Sequence, residues 1–308
     1  MPDQPVKSYD KTVAGVVEAA EAFLATLDGT EKSKVALELT AENATARSHL
    51  PCGGTCRSCI KLGGYSGGTY FLAFFAFLAF FAFFAFFAFL AFLAFLAFLA
   101  FLGTPSTSGA WQLPFGGHHL AVNLSYKSGQ VTGASPFFIG VEPTSWTDDS
   151  GTAHAPLENM RSALLAMNGS LSGAEQAKAK LEQSFSDVLV GPGEDGRFPE
   201  KKSGLAVKDL TAGQEKLVLA AIEPWVAGAD DTTAASLMAT YERGLGETYI
   251  AWSGTTGLTS HADHVRIDGP SVWVEFVCQN GIVIQNQIHH HTVYRDHTRD
   301  YGGEFTFS

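Results

Sequence analysis

The chain has 308 residues, enough to bury a full hydrophobic core as one large domain or two smaller ones. Its 20 Lys and Arg against 31 Asp and Glu give a formal net charge of -11. The basic residues are scattered, so there is no phosphate-binding stripe, and nucleic acid is excluded as the expected partner.

The first ten residues lack the basic start and apolar run of a secretory signal; a mature form that had lost its signal would read the same. Between residues 11 and 26, Val13, Val16, Val17, Ala20, Phe23 and Leu24 fall at helical spacing, and Asp28-Gly29 follows as a stop. A shorter helix is expected from Glu31 to Leu39. Pro51 and the pairs Gly53-Gly54, Gly63-Gly64 and Gly67-Gly68 mark loop. Within that loop, Cys52, Cys56 and Cys59 have the spacing by which radical-SAM enzymes hold an iron-sulfur cluster, but the repeated βα units that accompany that motif are absent. A zinc site, a local disulfide and free thiols stay open.

From Phe71 to Leu102 the sequence contains only Phe, Leu and Ala, with Ala at every third position from Ala73 to Ala100. A period of three matches neither the helical 3.6 nor the strand 2.0, so the alanines define no face. Hydropathy and length suffice for a membrane span, but no basic cluster flanks the segment to orient one. The segment reads as one strand phrase, Phe-Leu-Ala-Phe, copied many times. An inserted repeat, a membrane or interfacial helix and a buried core helix are the three readings.

After the repeat, Leu120, Val122 and Leu124 alternate with Ala121, Asn123 and Ser125 as in a half-buried strand, with a turn at Lys127-Ser128-Gly129-Gln130. Phe137 to Val141 is a further strand. Helices are expected over 157–168, 173–183, 211–226 and 230–243, with a Gly/Pro/charged loop from Gly191 to Gly204. Strands return at 247–253, 263–268, 271–278 and 282–294, the last two meeting at Asn280-Gly281, a hairpin signal. Strands and helices come in blocks, which predicts an α+β fold with a mainly antiparallel sheet, flanking helices and a long apolar helix-like segment. Residues 1–70 form an N-terminal helical part, 71–102 the repeat and 103–308 the α+β domain.

Four local patterns carry candidate chemistry. In a strand, His289 and His291 share a face while His290 points away, and two imidazoles so placed can bind one metal ion. In Gly116-Gly117-His118-His119, one of His118 or His119 can supply a further ligand, with His119 and Asn123 on the polar face. Glu142, at a strand end before Pro143, can complete a two-His-plus-carboxylate site or act as general base. In the tail from Arg295 to Gly302, Arg295, Asp296 and Asp300 can orient a ligand or bind an anionic substrate. Each has a plainer reading: strand histidines bonded to solvent or backbone, a solvated turn residue, and a structural ion-pair network.

The chain resembles the domain of unknown function 3500 family. The match runs through Tyr70-Phe71-Leu72-Ala73-Phe74, Gly103-Thr104-Pro105-Ser106, Trp111, Gly116-Gly117-His118-His119-Leu120, Pro136-Phe137-Phe138 and Gly140-Val141-Glu142-Pro143. It continues through Tyr249-Ile250-Ala251-Trp252-Ser253-Gly254, Arg266-Ile267-Asp268-Gly269-Pro270, Glu275-Phe276, His289, His291, Arg295-Asp296 and Asp300-Tyr301-Gly302. The resemblance implies no reaction, and it favours an extracytoplasmic setting. The repeat is a departure, standing where the family has further helical sequence.

The family motifs gather the same polar residues. The expected function is therefore a metal-dependent enzyme, hydrolase or oxidoreductase, with one Zn, Fe, Mn or Cu ion held by His289, His291 and one of His118 or His119, possible help from Glu142, and a small-molecule substrate. The alternative is a metal-free ligand-binding or structural domain; membrane association through the repeat would be a variant of either.

Overall fold

The computed structural model describes residues 12–46, 60–61, 98–117 and 119–307. Cys52, Cys56, Cys59, His118 and the repeat up to residue 97 lie outside the described residues. Two compact units emerge, the first comprising Met1–Ser135, Gly228–Asp230 and Tyr301–Phe305, the second Pro136–Ala227, Asp231–Asp300 and Thr306–Ser308.

In the first unit, helix α1 (Val13–Ala25) starts where the Thr12 side chain accepts the Gly15 N–H, and it buries the expected stripe of Val16, Val17, Ala20 and Phe23. Helix α2 (Gly29–Val35) opens with a capping box in which Asp28 and Glu31 each accept the other's backbone N–H. It ends earlier than its sequence suggests, because Ala36–Leu37 leaves the helix as strand β1. A one-turn helix, α3 (Ala41–Thr45), and strand β2 (Ile60–Lys61) follow.

The described end of the repeat is strand, not the helix-like segment expected. It forms β3 (Phe98–Leu99) and β4 (Phe101–Leu102), both paired antiparallel with β5 (Ala110–Gly117). Phe and Leu flanking a small residue suit a buried strand, and the backbone groups there find partners on β5 rather than along a helix. Among the described residues no helix is long and apolar enough to cross a membrane.

Strand β6 (Leu120–Lys127) returns alongside β5 in unbroken register from Ala110↔Lys127 to Gly117↔Leu120, and β7 (Gln130–Gly133) pairs with β6. The half-buried alternation expected of β6 is not kept, since Ala121, Asn123 and Ser125 are buried along with Leu120 and Leu124. Trp111 stacks on Tyr126 with ring centroids 4.2 Å apart and donates its indole N–H to the Ser106 carbonyl.

The second unit holds a fully antiparallel run of strands in the order β8 (Phe137–Val141), β15 (Ile288–Asp296), β14 (Val272–Asn280), β13 (His264–Asp268), β12 (Tyr249–Ser253) and β11 (Leu205–Ala206). A separate small hairpin is made by β9 (Trp146–Thr147) and β10 (Ala153–His154). Four helices accompany them: α4 (Glu158–Gly169), α5 (Gly173–Ala179), α6 (Ala212–Val226) and α7 (Asp231–Arg243). Capping boxes at Ser172/Glu175 and Thr211/Gln214 explain why α5 and α6 start where they do.

The two faces of β15 are used differently. On the even-numbered face, Trp225 of α6 donates to the Thr292 hydroxyl at 2.9 Å, and Tyr241 of α7 reaches Tyr294 and Asp296. The odd-numbered face, with His289, His291 and Arg295, meets the chain between α5 and β11, which has little regular structure.

The last hairpin differs from its sequence signal. Strand β15 begins at Ile288, and residues 281–287 form a loop closed by Gly281 N–H to Gln287 C=O at 2.7 Å. Gly281 is required for close approach rather than for a tight two-residue turn, since a Cβ there would lie 2.1 Å from the Ile284 carbonyl oxygen. The apolar run Ile282-Val283-Ile284 mimics a strand start, yet Ile282 and Val283 are exposed.

Replacing the fully buried Trp111 by Ala removes a large ring from the first unit's core. The expected outcome in equilibrium urea unfolding is a loss of about 3–5 kcal/mol.

Candidate functional site

Strand β15 is the spine of the site. Alternation places His289 and His291 side by side with ring centroids 4.8 Å apart, and it sends His290 to the opposite face, where it lies 4.9 Å from the Phe276 ring. His289 and His291 are both buried. Burial, followed by the neighbouring His291, lowers the pKa of His289 and favours its neutral, ligating form. Nδ1 of His291 lies 3.1 Å from the Asp187 carboxylate. Burial works against the charge on Asp187, but the hydrogen bond and charge of His291, the Val188 N–H and the Gln279 side chain outweigh it and keep the carboxyl below its usual pKa.

His119 lies in the connection between β5 and β6, not in a strand, because β5 ends at Gly117 and β6 begins at Leu120. His119 has a left-handed backbone, φ 63°, and is partly buried. It therefore does not share a strand face with Asn123, as the alternation had suggested. His119 belongs to the first unit, and His289 and His291 to the second.

Glu142 has a different local task. Its Oε1 accepts the backbone N–H groups of Val283 at 2.8 Å and Ile284 at 2.7 Å, which anchors the 281–287 loop. Its charge still reaches His289 and raises that histidine's pKa against the larger effect of burial.

Arg295, Asp296 and Asp300 form a buried network further along β15. Arg295 lies on the same strand face as His291 but four residues on, about 13 Å at the usual strand rise. Its guanidinium donates to the carbonyls of Val190 at 2.7 Å and Gly191 at 2.8 Å, and to the carboxylates of Asp195 and Asp300, both at 2.9 Å. Asp296 faces the other way, accepting from Tyr241 and from the Thr298 backbone and hydroxyl. Asp300 also accepts the Asp296 N–H. Asp296 ends the strand, and a turn with Tyr301 at φ 55° follows.

Two groups that sequence patterns did not single out as site residues are central here. Asp187 lies in an irregular stretch without periodicity, so no local signal marks it. Glu275 had one: a carboxylate in the middle of the apolar strand Val272-Trp273-Val274-Glu275-Phe276-Val277. Each of its oxygens accepts two hydrogen bonds, Oε1 from the Val190 N–H and the Trp273 indole, Oε2 from the Leu189 N–H and His264 Nε2. Burial opposes ionisation of Glu275, yet His264 and the two backbone donors outweigh it and lower its pKa.

The architecture defines an α+β protein with a mainly antiparallel sheet that carries a buried histidine cluster. The chain belongs to the family described as Protein of unknown function (DUF3500), whose model matches residues 9–303. No curated protein matches the chain, and no solved structure does.

Arg295→Met would leave the Asp195 and Asp300 carboxylates without their shared cation, and urea unfolding is expected to register a loss of about 3–5 kcal/mol. For Glu275 the pH dependence follows from its lowered pKa. Its contribution is fully present above the unfolded-state value, about 4.3, and disappears as pH falls through the lower folded-state value. Glu275→Gln would turn an amide NH₂ toward groups that are themselves donors. The variant is expected to be less stable at pH 7 by roughly 3 kcal/mol and to show a flatter acid limb in unfolding free energy against pH.

Proposed function

We propose that this protein binds one divalent transition-metal ion through His289 and His291 and uses it in catalysis on a small molecule. The observation that carries this reading is the side-by-side pair of buried imidazoles on one face of β15, His289 and His291, with ring centroids 4.8 Å apart. Neutral imidazoles suit Zn, Fe or Cu and leave coordination positions for water and substrate, and an ion so held acidifies bound water for hydrolysis or serves oxygen chemistry. The lowered pKa of His289 supports the reading, because a ligand must be unprotonated to bind. Glu142 acts in this scheme through the loop that it anchors, and Arg295, Asp296 and Asp300 through the framework of the strand.

A metal-free ligand-binding or structural domain is the second reading. It is favoured by the complete engagement of Arg295 with Val190, Gly191, Asp195 and Asp300, an arrangement that contributes to stability without any ligand.

Protein made without a His-tag, stripped with chelator and titrated with Zn²⁺ or Co²⁺, separates the two. Near-stoichiometric binding to the wild type is expected, with a large loss in His289→Ala and His291→Ala. His290→Leu should bind normally, since that side chain faces the other side of the strand. Wild type that retains no metal, or histidine variants that bind as it does, would sink the metal reading.

A further inference from the structure

We infer that Asp187 is the positioning residue of the histidine cluster, holding His291 with Nδ1 protonated so that Nε2 is the ligand atom; this rests on the metal reading above.

An imidazole offers two nitrogens, and which one binds metal depends on where the other spends its proton. The Asp187 carboxylate, 3.1 Å from His291 Nδ1, is an acceptor that makes the Nδ1–H tautomer the favourable one. The strand itself cannot choose between the nitrogens. It fixes only the backbone of His291, between Gly140 of β8 and Val277 of β14.

Asp187 can do this only if its own backbone is held, and the chain on either side of it is irregular. Two buried side chains of the sheet hold the segment that follows. Glu275 accepts the N–H groups of Leu189 and Val190, at 2.7 and 2.9 Å. Arg295 donates to the carbonyls of Val190 and Gly191. The strap from 187 to 191 is thus tied at consecutive peptide groups by one carboxylate and one guanidinium, both fully buried. Nearer its end, the Val188 N–H donates to Asp187 itself at 2.8 Å, and the Gln279 side chain adds a further bond. The Asp187 side chain is 43% exposed while that of His291 is 4% exposed, so the carboxylate sits at the outer edge of the cluster. On this account Glu275 and Arg295 act on the cluster at one remove, by fixing the strap that carries Asp187.

Two measurements test the inference. In metal-free protein at neutral pH, long-range ¹H–¹⁵N correlation of the His291 ring should show the Nδ1–H tautomer in the wild type and a shift away from it in Asp187→Ala. In competition with a chromogenic chelator, Asp187→Ala should bind Zn²⁺ about 10–100-fold more weakly than the wild type at unchanged stoichiometry. Asp187→Asn, whose amide oxygen can still accept from Nδ1–H, should fall between them, and it carries the comparison if the alanine variant does not fold. A wild-type tautomer and wild-type affinity in the substituted protein overturn the inference and leave the metal reading standing. Wild type that binds no Zn²⁺ overturns both, a different and distinguishable result.

Discussion

A carboxylate with no contact with water, Glu275, accepts four hydrogen bonds in the middle of a strand whose neighbours are Val274 and Phe276. Burying such a charge is costly unless every lone pair is used, and here each oxygen takes two donors. Two of those donors are backbone N–H groups of a segment with no helix or strand of its own. The cost of burying the carboxylate and the cost of ordering the segment therefore offset each other. The odd-numbered face of the sheet in the second unit depends on that exchange.

The consequence extends along the strand order. His264 stacks on Phe185 with ring centroids 4.1 Å apart, and it donates to Glu275 from the next strand. Arg266 lies over the Trp273 ring, whose indole N–H also serves Glu275. Arg295 secures the same strap from β15. The even-numbered face uses a different device, with helices α6 and α7 contributing Trp225 and Tyr241 as hydrogen-bonding anchors to Thr292, Tyr294 and Asp296. A sheet with one face against helices and the other against a polar, strapped segment can bring imidazoles and carboxylates together under cover, which an apolar sandwich would not do.

How much of this was legible in the sequence varies with the range of the forces involved. The antiparallel α+β class and the helices were readable because their causes are local: capping pairs at Asp28/Glu31, Ser172/Glu175 and Thr211/Gln214, and apolar stripes such as Val16, Val17, Ala20 and Phe23. Strand parity correctly separated His290 from His289 and His291 for the same reason. The start of β15 was misread because the residues that hold the 281–287 loop apart from the strand, Glu142 above all, are distant in sequence. Asp187 was invisible for a stronger reason. Its position is set by Glu275 and Arg295 through contacts with the backbone of residues 189–191, and backbone contacts leave no signature in side-chain pattern.

The turn at His119 has a consequence for how this position can vary. A left-handed backbone at a residue with a Cβ costs about 1–2 kcal/mol, and Gly, or to a lesser degree Asn, avoids most of it. If stability alone governed the hairpin between β5 and β6, glycine would be the favoured occupant. An imidazole kept there means that the fold carries a standing conformational debt at that turn, and selection for thermal robustness and selection for the side chain would pull the position in opposite directions.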